Sequence, residues 1–195
     1  MFDRKDFISQ SLTDSSKVKL LVLEKCYEPI INAADILVDA VRSGKKIMLA
    51  GNGGSAADSQ HIATEFMIRL SHDLSRPAIA AIALTTDSSN ITAGGNDIGF
   101  ENVIARSIEG LGNEGDVFIC ISTSGNSPNI LKAVKKAKEK SISVVGFLGG
   151  KGGKLAEMCD VPIIVPSENT QRIQESHITI GHILCEIVER ELYGN

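Results

Sequence analysis

The chain has 195 residues, 43% hydrophobic and 23% charged, with 18 Gly and 5 Pro, a composition that excludes a disordered or collagen-like polymer. Its net charge of -4 excludes the broad basic surface that nucleic acid or an anionic membrane requires, so any anion it binds is held locally. The four cysteines, Cys26, Cys120, Cys159 and Cys185, have neither zinc-ribbon spacing nor the density of a secreted disulfide scaffold, and read as reduced, buried thiols.

The opening stretch MFDRKDFISQSLTDSSK is polar and has no apolar leader segment. No apolar run approaches the roughly 18 residues that span a bilayer, so a cytoplasmic location is expected. From Phe7 to Val41 apolar residues recur at helical spacing, as in Ile8 and Leu12, then Leu20, Leu23, Ile30, Ile31, Ala34, Leu37 and Val41. This predicts an N-terminal helical pair over 1–44, closed by Gly44 in a left-handed cap. With no strand between them, these helices are expected to lie outside the sheet and to pack against another subunit.

The pattern then changes to five short apolar runs, each followed by a turn and a helical segment: KKIMLA (45–50), AIAAIAL (78–84), DVFICIS (116–122), ISVVGFL (142–148) and VPIIVP (161–166). Continuous apolar runs suit strands buried on both faces, and their alternation with helices implies parallel pairing with right-handed crossovers. The expected fold is a three-layer α/β sandwich with a five-stranded parallel sheet over 45–195, ending in one long helix from Thr170 to Leu192. No linker or repeat divides the chain, so 1–195 reads as a single domain.

Two turns after strands carry ligand-binding chemistry. Ala50-Gly51-Asn52-Gly53-Gly54-Ser55 follows the first strand and opens a helix, where glycines admit a ligand to the backbone and free N–H groups favour an anion. It lacks both dinucleotide GxGxxG spacing and the GKS ending of a phosphate loop. Ser55 as a simple N-cap is the alternative reading. Ser122-Thr123-Ser124-Gly125-Asn126-Ser127-Pro128 follows the third strand with four hydroxyls and a Pro suited to the first helical position, which fits a phosphate monoester held without Lys or Arg. Here the alternative is Ser127 as a cap.

His61 and Glu65, four residues apart on one helix face, can bind a metal or share acid/base work, although an ordinary surface pair has the same spacing. On the last helix Gln174 and His182 lie about 80° apart around an ideal helix, so they can converge on one point. Taken alone, His182 reads as a satisfied core histidine.

Together these segments, GNGGSAADSQHIATEF, GGNDIGF, GDVFICISTSGNSPNILKA and RIQESHITIGHIL, resemble the sugar isomerase (SIS) domain family over nearly the whole chain, and within it the phosphoheptose isomerases. Ala56-Ala57 stands where some relatives carry a His and a Cys. The resemblance implies a flavodoxin-like SIS fold and conversion of sedoheptulose 7-phosphate into D-glycero-D-manno-heptose 7-phosphate, the first step toward nucleotide-activated heptose and, in many bacteria, lipopolysaccharide. It implies substrate contacts from Asn52, Gly53, Gly54, Glu65, Asn96, Asp97, Ser122, Thr123, Ser124, Ser127 and Gln174. It also implies one Zn2+ per subunit, surrounded by His61, Glu65, Gln174 and His182. Since interconverting a ketose and an aldose needs one base and one acid, Glu65 is expected to be the catalytic base and His182 the proton carrier. A homotetramer is expected, with residues of different chains meeting around the metal. The rival from another class is a non-catalytic SIS protein, either phosphosugar-binding or associated with a replication initiator, which would not need the His61, Glu65, Gln174 and His182 set.

Overall fold

The computed structural model describes residues 2–194. The elements run, in chain order, α1 (Arg4–Arg42), β1 (Ile47–Gly51), α2 (Gly54–Met67), β2 (Ala81–Ala83), α3 (Ser88–Asp97), α4 (Phe100–Leu111), β3 (Val117–Ser122), α5 (Pro128–Glu139), β4 (Ser143–Gly149), a 3-10 turn (Gly153–Glu157), β5 (Val161–Val165) and α6 (Thr170–Tyr193). All five expected strands are present, every pairing is parallel, and the order is β2-β1-β3-β4-β5. This is the flavodoxin-like order, in which the chain reverses its winding between β1 and β3 and leaves a crevice at their C-terminal ends.

The runs of β1, β3 and β4 lack a polar alternation because both sheet faces are covered there, whereas Ile82 of the edge strand β2 is exposed. Ile47 and Leu49 of β1, Val117, Ile119 and Ile121 of β3, and Val145 and Phe147 of β4 pack with α1, α2 and α6. Their neighbours Met48, Ala50, Phe118, Cys120, Val144 and Leu148 point the other way, onto α4 and α5. On the first face α2 and α6 approach closely at Gly181, where a Cβ would come within 2.5 Å of Ile62 Cδ1. Gly181→Ala should therefore destabilise the fold by about 1–3 kcal/mol, read as a lower urea midpoint with unchanged slope.

The N-terminal helical pair is instead a single helix of 39 residues. Its start is fixed by Asp3, whose carboxylate accepts from the N–H groups of Lys5 and Asp6 at 2.9 and 3.3 Å. Between the two apolar blocks nothing caps or breaks the helix: Ser16 Oγ bonds back to Leu12 O at 3.0 Å. Pro29 removes only one N–H, and the buried residues on both sides, Val22, Cys26, Ala33, Ala34, Leu37 and Val38, hold the rod against the sheet. Gly44 takes the left-handed conformation expected of it, with φ +69°. The N-terminal half leaves Phe7, Ile8, Leu12, Leu20 and Leu23 exposed. No helix among the described residues is long and apolar enough to cross a membrane.

Candidate active site

The two glycine- and serine-rich turns meet at the β1/β3 crevice. They are joined by a reciprocal amide pair, in which Asn52 Nδ2 donates to Asn129 Oδ1 at 3.0 Å and Asn129 Nδ2 donates to Asn52 Oδ1 at 2.8 Å. Asn129 is buried and was not singled out from the sequence; the available signal was a polar residue on the core-facing side of an otherwise apolar helix start.

Helices α2 and α5 both begin at this crevice, and no side chain caps either of them. Gly53, not Ser55, is the N-cap of α2; Ser55 is buried two places further in, and its carbonyl accepts from Ser59 Oγ at 2.8 Å. Ser127 does occupy the N-cap position of α5, with Pro128 at the start of the helix, but its Oγ lies 3.2 Å from Ser122 Oγ rather than on the helix N–H groups. The positive ends of two helices therefore meet at the crevice, an arrangement suited to an anion, although the N–H groups of Ser55, Ala56, Ile130 and Leu131 already bond to carbonyls of the preceding turns.

Beside them is a cleft of about 490 Å³, whose walls include Thr123, Ser124, Asn126, Lys151, Glu168 and Thr170. Lys151, which follows the Gly149-Gly150 pair at the end of β4, puts a cation on this wall that the hydroxyl-rich turn does not reveal. The serine turn is braced from behind. Gly125 has φ +63°, and a Cβ there would run into the Gly152 carbonyl, while Asn126 Oδ1 accepts from Lys154 N at 3.1 Å. Asn96 and Asp97 lie exposed at the end of α3, where Asn96 Nδ2 donates to Asp97 Oδ1 at 2.7 Å. Among the described residues neither bonds to the two turns.

The His/Glu pair and the last helix converge. His61 Nε2 is 3.3 Å from Glu65 Oε1 and 2.8 Å from His182 Nε2, and the two imidazole rings meet edge-on with centroids 5.1 Å apart. One donor atom from each of the three residues lies within 4.8 Å of the others. Two imidazole nitrogens and a carboxylate oxygen at such spacing form a mixed donor set that fits a divalent cation. Gln174, in the early turns of α6, packs against Gly54 at the start of α2, where an added Cβ would stand 2.7 Å from its Nε2. The three donors meet within one chain, because the close approach of α2 and α6 at Gly181 carries them together. These three donors therefore need no second chain to bring them together.

The core histidine is His177, not His182. His177 is fully buried, donates from Nε2 to Leu148 O at 2.9 Å, and leaves Nδ1 without a partner. Burial pushes its pKa down to about 4. The unfolded chain binds this proton near pH 6.5 and the folded chain does not, so the neutral ring's contribution is complete above about 6.5 and is lost as pH falls toward 4. At about 1.4 kcal/mol per pH unit the loss amounts to roughly 3 kcal/mol. Urea titrations from pH 7 to 4 should show a smaller decline in His177→Gln than in the parent chain.

Fold and site thus define an α/β protein whose crevice suits an anionic ligand and whose helices α2 and α6 carry a His–Glu–His cluster. A family model described as the SIS domain matches residues 13–149. A phosphoheptose isomerase of Clostridium acetobutylicum is 51% identical over 97% of each chain, and phosphoheptose isomerase 2 of Campylobacter jejuni is 54% identical over 96% of this chain and 94% of its own. The solved structure of a phosphoheptose isomerase from Francisella tularensis superimposes with a TM-score of 0.92 at 36% identity, covering 97% of this chain and 100% of that one. The chain belongs to the phosphoheptose isomerase family of SIS-domain proteins.

Proposed function

We propose that this chain is the aldose-ketose isomerase that converts sedoheptulose 7-phosphate into D-glycero-D-manno-heptose 7-phosphate, working in the cytoplasm as one SIS domain. The observation that carries this reading is the meeting of Glu65, His61 and His182 beside two uncapped helix starts. The phosphate sits against the 122–127 turn, held by Ser122, Thr123, Ser124 and Ser127 and facing the positive end of α5, where Pro128 has no N–H and that of Asn129 is the first. Asn52, Gly53, Gly54 and Gln174 orient the sugar, with Asn96 and Asp97 as further contacts.

The reaction needs one base and one proton carrier. Glu65 takes the proton from C1, a C1–C2 enediol forms, and the same carboxyl returns the proton to C2. His182 moves the hydroxyl proton from O1 to O2, so the carbonyl passes from C2 to C1. A zinc ion held by His61, Glu65, Gln174 and His182 would polarise the carbonyl. The deciding experiment incubates the zinc-supplemented protein with sedoheptulose 7-phosphate and follows proton NMR. An aldose anomeric signal is expected, and its absence sinks the assignment.

Ser122→Ala combined with Ser124→Ala should raise the dissociation constant of the sugar phosphate while leaving zinc content unchanged. Each hydroxyl contact to a charged group is worth about 1.5–3 kcal/mol. Unchanged affinity would move the phosphate elsewhere.

The active form is a homotetramer. Its support is the exposed stripe along α1 and an apolar groove of about 310 Å³ between α1 and α6, lined by Leu23, Tyr27, Ile31, Ile180, Ile183 and Ile187. Light scattering should give four times the 20.8 kDa chain mass. A stable active monomer would reject the assembly.

A further inference from the structure

A buried ion pair lies behind the His–Glu–His cluster, on the side away from the crevice. Arg76, in the segment between α2 and β2, and Glu189, near the end of α6, have side chains only 1% exposed each. Arg76 Nε and Nη2 both stand 2.8 Å from Glu189 Oε1, and Nη1 donates to Pro77 O at 2.9 Å. Glu189 also accepts from the N–H groups of Leu70 and Ser71 at 2.9 and 3.0 Å. Every donor nitrogen and both carboxylate oxygens are therefore used. Nη2 makes one further bond: it donates to the main-chain carbonyl of Glu65 at 2.7 Å.

That last bond ties the pair to the site. Glu65 stands two residues before the end of α2, so its carbonyl is one of those a helix leaves without an internal partner. Glu189 follows His182 by seven residues on α6, about two turns, and so lies on nearly the same face. One guanidinium thus bridges the backbone of one cluster residue and the helix that carries another. Isolated buried ion pairs contribute little net stability, so burial alone does not account for an arginine whose fork fits three partners at once.

We infer that Arg76 is a positioning residue: with Glu189 it fixes the end of α2 against α6 and so holds Glu65 and His61 in register with His182. The inference rests on the reading of these three residues as the reactive cluster. Arg76→Lys keeps the buried charge but has one nitrogen where arginine uses three. Glu189→Gln keeps the shape and one carbonyl oxygen for the loop N–H groups.

Both full-length variants are titrated with zinc against a chromophoric chelator, well below their melting temperatures, and assayed for turnover. The expected result is zinc affinity weakened about tenfold or more, with kcat reduced and KM little changed, as for groups that orient metal ligands. Unchanged zinc affinity in both variants overturns the inference however far the melting temperature falls, since a purely structural pair moves only the latter. Glu65→Gln is run alongside. If it turned over normally, the role given to Glu65 would fail while the zinc titration still decided the clamp.

Discussion

Glu65→Gln should lower turnover of sedoheptulose 7-phosphate by about 10²–10⁴-fold while the circular dichroism spectrum and melting temperature stay close to those of the parent. The amide keeps the size of the side chain and one oxygen near His61 Nε2, from which the carboxylate stands 3.3 Å. What it loses is the ability to carry a proton. Deuterium exchange provides the sharper measurement: in heavy water the parent should label the carbon-bound position during turnover, and the variant should leave substrate and product unlabelled. Solvent exchange at the parental rate in Glu65→Gln would remove Glu65 from the proton path.

His182→Ala is expected to abolish turnover and zinc retention together. His182 Nε2 supplies one of three donor atoms in the cluster, and losing one ligand from so small a set leaves only His61 and Glu65 of the trio. The matched control is His177→Gln, five residues earlier on the same helix, where the ring is buried against Leu148 O and takes no part in the cluster. Stability should suffer there while zinc content persists. Zinc bound at parental affinity by His182→Ala, measured by elemental analysis after dialysis, would show that the cluster does not hold the metal.

The sequence carried most of the sheet, because strands covered on both faces leave runs such as DVFICIS that few other structures would produce. It was less informative about α1. A gap in the apolar pattern around Asp14-Ser15-Ser16 looks like a break, but the local hydrogen bond from Ser16 lets the helix run through it. Which histidine is buried was also hidden: His177 and His182 both fit helical spacing, and only the packing of α6 on α2 and β4 separates them. Asn129 and Arg76 escaped notice for a common reason. Each acts through a partner more than seventy residues away in sequence, Asn52 and Glu189 respectively, and no local pattern encodes such pairing.

The reciprocal pair of hydrogen bonds between the Asn52 and Asn129 amides also bears on how a ligand would be received. The pair ties the turn after β1 to the start of α5, so the two segments are held in register before anything enters. Loop ordering, which elsewhere subtracts from affinity at about 0.5–1.5 kcal/mol per immobilised side chain, is here completed when the chain folds. Association should accordingly resemble a key entering a finished lock at this end of the molecule. Any gating of entry and release would fall to other segments, such as the exposed end of α3 that carries Asn96 and Asp97.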